Sequence, residues 1–199
     1  MRVSNNPIDL LLELDRQLLM FINRHELPGD AHTVLIALTT ANTGKNFFYV
    51  AVPIVIAIFL FFFRKKGIAI VFMTAILAAV ADQFNYRIVK GLMFRLRPFS
   101  AIPEVVLRVP YGPQSSSFPS NHATTTMALA VWLSYLFPKL TIPFYAVSFL
   151  IGYSRVYAGV HYPSDVIIGW IIGAIMGSLM VFAGKKLLKL HVKPDEIED

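Results

Sequence analysis

Apolar residues in this chain come in long blocks separated by short polar runs. Phe47–Phe63 is almost purely apolar and just long enough to cross a hydrocarbon core of about 30 Å. Arg64, Lys65 and Lys66 end it. A second block runs from Gly67 to about Lys90 and is polar only in its last third. His122–Phe137 is the third, stopped by Pro138 and Lys139. Ile142–Val156 is the fourth, and Val166–Phe182 the fifth, followed by Lys185, Lys186 and Lys189. Such blocks predict an all-α polytopic membrane bundle of five to six transmembrane helices. Ahead of them, residues 8–23 carry leucines at 11, 14 and 18, a helical spacing, but Glu13, Asp15 and Arg16 make a poor span. This helix is expected to lie in the interface plane, a short span being the competing reading. Residues 29–43 form a second short helical piece, ended by Thr43 and Gly44. Residues 99–117 read as a loop, with Pro103, Pro110, Gly112 and Pro113 as breakers and three serines at its end. The acidic tail, about 194–199, reads as disordered. The whole of 1–199 is expected to be one domain, with its chemistry between residues 90 and 165.

Composition sharpens this picture. Of 199 residues, 56% are hydrophobic and 15% charged, against about 25% charged in a soluble domain. The absence of cysteine removes disulfides, thiolate nucleophiles and cysteine metal sites. The formal charge of +6 fits contact with anionic lipid, an anionic substrate, or the cytoplasmic bias of lysine and arginine. No cleavable signal peptide is expected, because the first apolar run carries three charges and lacks a small-residue cleavage site. If the spans alternate, Arg64 to Lys66, Lys139 and Lys185 to Lys189 fall on one side. The positive-inside rule makes that side the cytoplasm, with the C-terminus there too.

Three polar islands then lie on the opposite, outer face. The first holds Asp82, Tyr86 and Lys90, spaced to share one helix face, followed by Arg95, Arg97 and Pro98. Lys90, Arg95 and Arg97 have two readings: snorkelling to lipid headgroups, or cations aimed at an anion. Asp82 reads as a hydrogen-bond partner for a nearby polar group. The second island is Ser120, Asn121 and His122, opening the third block behind Pro119. Unsatisfied N–H groups at such a helix start attract anions, and Ser120 suits the N-cap. The threonines 124–126 read as helix-packing residues. The third island is Ser154 and Arg155, then His161 and Asp165 across Tyr162 and Pro163. A carboxylate on one imidazole nitrogen fixes the tautomer and raises the basicity of the other. Arg155 offers a planar fork for phosphate oxygens.

Lys90-x6-Arg97-Pro98, Pro119-Ser120-x-His122 and Ser154-Arg155-x5-His161-x3-Asp165 together resemble the signature of the type 2 phosphatidic acid phosphatase family, in its membrane branch. The family usually has glycine where this chain has Asn121. Asparagine tolerates positive φ best among the other residues, and its amide is expected to add a donor to phosphate or narrow the pocket. The resemblance implies that His161 attacks phosphorus and forms a phosphohistidine. It implies that Asp165 orients His161 and that His122 protonates the leaving oxygen, then activates water. Lys90, Arg97 and Arg155, with Ser120, Asn121 and backbone amides, would bind the phosphate oxygens. The same resemblance implies no metal and no cofactor.

The expected partner is a phosphorylated lipid, with membrane lipids around it and neither nucleic acid nor an obligate protein partner. Ile102, Val105, Val106 and Tyr111 are expected to cover its chain. Undecaprenyl pyrophosphate is the leading candidate, in a bacterial inner membrane with the site facing out. Phosphatidylglycerol phosphate, phosphatidic acid and lipid A phosphates are the alternatives. A lipid phosphotransferase would share every named residue. A haloperoxidase would use the same pocket for vanadate. A metal-binding transporter with His122, His161 and Asp165 as zinc ligands sits poorly beside three cations.

Overall fold

Gly169, Gly173 and Gly177 recur at every fourth position of the last apolar block, a stripe of small residues along one helix face. In the computed structural model of the chain, which describes residues 6–40, 49 and 52–188, that stripe decides how the central helices meet. The helices in chain order are α1 (Pro7–Arg24), α2 (Gly29–Thr40), α3 (Val52–Phe63), α4 (Gly67–Gln83), α5 (Lys90–Leu92), α6 (Pro98–Ala101), α7 (Asn121–Leu136), α8 (Thr141–Tyr157) and α9 (Pro163–Leu188). Among the described residues there is no strand. A Cβ on the three glycines of α9 would collide with the carbonyl oxygens of Ser120, Thr124 and Ala128 on α7. The two backbones therefore approach as closely as van der Waals contact allows, the usual route to tight helix pairing where lipid replaces water. Gly152 of α8 does the same for the ring of Trp170 on α9.

α7 is the hub. Ala128, Trp132 and Leu136 join Phe59, Ile70, Leu77 and Ala81 of α3 and α4 in one core. The indole of Trp132 is fully buried and donates to Thr74 Oγ1 at 2.8 Å, so its polar edge is satisfied. Phe59 stacks on Phe137, with ring centroids 6.0 Å apart. A second core of Leu19, Ile102, Val105, Ala123, Val156, Tyr162 and Val166 lies at the other end. Ile102 and Val105 thus pack inward, 8% exposed each. They do not cover a lipid chain as expected; of the four loop residues only Val106 and Tyr111 are exposed. The loop expected over 99–117 also begins with the single turn of α6.

Among the described residues two helices are long and apolar enough to cross a membrane, Gly67–Leu92 and Pro163–Leu187. α3, α7 and α8 have 12, 16 and 17 residues, below the roughly 20 that a full crossing takes. Large apolar side chains such as Phe61, Phe72, Ile142, Leu179 and Phe182 face outward, a surface suited to lipid. α1 follows the same inverted rule. Leu11, Leu14 and Leu18 point away from the protein, while Asp15, Leu19 and Asn23 form the buried face. The start of the first block at Phe47, the helix stop at Thr43 and Gly44, Lys189 and the acidic tail lie outside the described residues.

The second block is not one regular helix. Between α4 and α5 the chain makes one wide, π-helical turn, Phe84–Val89. That turn breaks the face expected for Asp82, Tyr86 and Lys90. Tyr86 is 56% exposed, and Asn85 is buried in its stead, donating to Thr124 Oγ1 at 2.6 Å. Such turns are rare and gather at functional sites.

Gly173→Val should drive a side chain into the α7 backbone and lower stability by about 1–3 kcal/mol, read as a lower midpoint of thermal unfolding in detergent. Gly91→Ala, whose added Cβ meets nothing within 4 Å, should not lower it. An unchanged midpoint in the valine variant would contradict the close α7–α9 contact.

Candidate active site

The site is built where α9 begins. Pro163 opens the helix, with its fixed φ and missing N–H. Asp165, three residues after Tyr162, turns back so that its Oδ2 accepts the Tyr162 N–H at 2.9 Å. This is half of a capping box, and it buries the carboxylate completely. The turn, not a helix face, brings the Nδ1 of His161 to 3.6 Å from Asp165 Oδ2. Just before it, α8 ends and Gly159 adopts φ +76, the left-handed conformation that glycine takes without strain after a helix. A Cβ there would meet Val106 O at 2.6 Å.

His161 is 2% exposed. Its Nε2 lies 3.2 Å from Arg97 Nη1. A guanidinium has donors only, so Nε2 is the acceptor and the proton of the neutral ring sits on Nδ1, facing Asp165. Burial pushes the imidazole from 6.5 to about 3, against the upward pull of Asp165, with Arg97 and Arg155 pushing down as well. His161 is therefore a neutral base with its lone pair on the side of the cations.

The cations are held by backbone oxygens more than by acids. Arg97 donates through Nε to Ser115 O (2.8 Å), through Nη1 to Val160 O (2.9 Å) and through Nη2 to Ser116 O (3.2 Å). Burial lowers its pKa to about 10, with Asp165 drawing it back up; it stays charged at neutral pH. Lys90 Nζ donates to Ser116 O at 2.8 Å. Arg155 donates through Nη1 to Thr39 O (3.1 Å) and Thr39 Oγ1 (2.8 Å), while its buried Nε has no hydrogen-bond partner.

Ser120 caps α7, its side chain accepting from Ala123 N. Its own N–H donates to Asp165 O at 3.0 Å, which fastens the second island to the third. His122, in the first turn of α7, lies close enough to Arg155, His161, Arg97 and Lys90 to interact with their charges. Asn121 Nδ2 donates to Asp82 Oδ1 at 2.8 Å. Its amide is thus engaged by Asp82, which takes the part of hydrogen-bond partner. Ser154 turns back into its helix and donates to Ile151 O at 2.6 Å.

Three basic side chains, two histidines and a carboxylate therefore converge from α5, the start of α6, α7, α8 and the turn into α9. The model of the PAP2 superfamily matches residues 66–188. The chain belongs to the PAP2 superfamily. A relative in Bacteroides thetaiotaomicron, a lipid A 4'-phosphatase, is 33% identical over 90% of this chain and 81% of its own. An undecaprenyl-diphosphatase of Sulfolobus acidocaldarius is 37% identical over 67% of this chain and 63% of its own. The crystal structure of Aquifex aeolicus LpxE has a TM-score of 0.67 and 28% identity, covering 92% of this chain and 99% of that one. α1 and α2 lie outside the superfamily match, yet both reach this PAP2 site.

Sequence reasoning missed what they bring. Arg95 does not snorkel to lipid. Its Nη1 donates to Asp165 Oδ1 at 2.7 Å and its Nη2 to Asp15 Oδ2 at 2.7 Å, with the guanidinium 3.6 Å over the Tyr162 ring. Burial opposes its charge, but Asp165 and Asp15 outweigh that and hold its pKa above the ordinary value. Asp15 and Thr39 carried no sequence signal; each is a polar residue of a short helix whose partner is far away in the chain. For Arg95 the place of a third cation beside Arg97 was a signal, but one it shared with headgroup contact.

Nitrogen NMR of ring-labelled histidine, assigned with His161→Asn, should show the His161 ring neutral and protonated on Nδ1 from about pH 8 down to about pH 5. A ring that titrates near the ordinary 6.5 would contradict the site described.

Proposed function

We propose that the protein is a lipid phosphate phosphatase that works without a metal, through a phosphohistidine formed on His161. The observation that carries this reading is the orientation of the His161 ring: Nδ1 toward Asp165, Nε2 toward Arg97. In the resting site Arg97 donates to the lone pair that must attack. Phosphate oxygens are better acceptors for that guanidinium, so a bound phosphate draws Arg97 Nη1 away and frees Nε2. Nε2 then attacks phosphorus, the bond from phosphorus to the lipid-side oxygen breaks, and His122, which takes up a proton together with the bound phosphate anion, gives it to that oxygen. His122 next takes a proton from water, which attacks phosphorus and releases inorganic phosphate and a neutral His161. Asp165 balances the positive charge that the ring carries in between. Lys90, Arg97 and Arg155, with Ser120 and the positive end of α7, stabilise charge on the equatorial oxygens. Asn121, held by Asp82, forms one wall.

The substrate belongs to the phosphorylated lipids of the envelope. The outward apolar surface of the helices supports this, and so do the relatives. A lipid A type phosphate is supported by the relative that aligns over 90% of the chain. Undecaprenyl pyrophosphate is supported by the relative at 37% identity. The chain is read as one domain of 1–199 with five to six spans in a bacterial inner membrane, the shorter helices completing the bundle. The side that carries Arg64, Lys66, Lys139, Lys185 and Lys186 is read as cytoplasmic, with the C-terminus, and the site as facing outward.

Purified protein should release inorganic phosphate from at least one of lipid A, undecaprenyl pyrophosphate, phosphatidylglycerol phosphate and phosphatidic acid, undiminished by EDTA. His161→Ala should lose turnover by at least about 10³-fold, as removal of an activated nucleophile does, while still inserting and folding. Dependence on a divalent metal, or full activity in the alanine variant, would overturn the scheme. For orientation, a reporter fused within residues 100–117 should read the outer side; a cytoplasmic signal there would reverse it.

A further inference from the structure

Asp9 and Glu13 of α1 are exposed, whereas Asp15 is 7% exposed and faces the protein. Its Oδ1 accepts the Ser164 N–H at 2.8 Å. Its Oδ2 accepts the Ser164 hydroxyl at 2.6 Å and Arg95 Nη2 at 2.7 Å. A carboxylate withdrawn from water costs several kcal/mol unless its charge is met. Here it is met by one half of a guanidinium and by the Ser164 N–H in the first turn of α9, the end of the helix that favours negative charge. The other half of that guanidinium, Nη1, is bonded to Asp165 Oδ1 at 2.7 Å.

We propose that Asp15 is a positioning residue for the phosphatase reaction, acting through Arg95 on the Asp165–His161 pair. The proposal rests on the roles assigned above to His161 and Asp165. The guanidinium is a rigid plane. With Nη2 fixed on Asp15 and the ring of Tyr162 beneath, Nη1 is held between Ser164 Oγ (2.8 Å) and Asp165 Oδ1 (2.7 Å), and of the two Asp165 oxygens it bonds Oδ1. Oδ2 is left to the Tyr162 N–H and the His161 ring. Charge adds to geometry. Asp15, Arg95 and Asp165 sum to one negative charge beside His161, whose ring becomes positive when it bonds phosphorus. Replacing Asp15 with a neutral amide brings that sum to zero and gives Arg95 wholly to Asp165. The phosphate clamp of Lys90, Arg97 and Arg155 makes none of its bonds to Asp15. Substrate binding is therefore spared and the chemical step is not.

The test is Asp15→Asn, assayed by phosphate release in detergent micelles from whichever lipid of the panel above is turned over fastest. kcat should fall roughly 10- to 100-fold, the usual effect of removing a group that orients a reacting one, with KM within about threefold. Wild-type kcat overturns the proposal. So does a fall in kcat with a matching rise in KM and a lower unfolding midpoint, since that is the signature of a mere tie between α1 and α9. If D15N cannot be purified folded, Ser164→Ala removes the one hydroxyl that donates to Asp15 Oδ2 and accepts from Arg95 Nη1, loosening the same Asp15–Arg95 link, and carries the same test. It should lose kcat several-fold at unchanged KM, and full kcat overturns the proposal. His161→Ala runs alongside. An active alanine variant sinks the underlying mechanism, whereas an inactive one beside a fully active D15N sinks only the role of Asp15.

Discussion

Burying the Asp165 carboxylate costs several kcal/mol unless every oxygen finds a partner, and the rest of the site follows from how this chain finds them. Oδ1 takes Arg95 and Oδ2 takes the Tyr162 N–H. The backbone oxygen of the same residue takes the Ser120 N–H. One residue thereby fixes the start of α9, the start of α7 and the loop after α5. His161, in the turn leading into α9, inherits its ring orientation from that arrangement. The small-residue seam between α7 and α9 allows it, because only glycine at 169 lets Ser120 approach so closely.

The cations proposed to bind phosphate, two buried and Lys90 half-buried, face the opposite difficulty. Lys90, Arg97 and Arg155 repel one another and lose hydration. Their resting partners are mostly neutral: carbonyls of Ser115, Ser116, Val160 and Thr39. Carbonyls satisfy the N–H donors without cancelling the charge, so the positive potential is left for an anion. The acids act on this clamp through space, while their own bonds go elsewhere. Asp15 and Asp165 share Arg95, and Asp82 is taken by Asn121.

The helices and the candidate site were legible in the sequence for different reasons. Long apolar blocks allow few structures besides helices in lipid, and the described helices fall within a few residues of the expected ones. His161, Asp165, His122 and Arg155 stood out because their joint spacing resembles the family signature, where each island alone is a weak signal. Asp15 was not legible. A charged residue in a helix with exposed leucines looks the same whether it meets water or an arginine 80 positions away. Arg95 was ambiguous for the same reason. Tyr86 was misplaced because the α-helical period fails across a wide turn that no residue between 84 and 89 announces. Ile102 and Val105 were misplaced because a hydrophobic loop residue serves a core as readily as a ligand.

The central claim is that His161 carries the phosphoryl group. Radiolabelled lipid phosphate, mixed with the protein and quenched in alkaline detergent within the first turnover, tests it most directly. The account predicts a label on the protein that survives base, is lost in acid, and maps to His161. A label that maps to another residue, or substrate consumed in a single turnover with no protein-bound phosphate at any time, would contradict it.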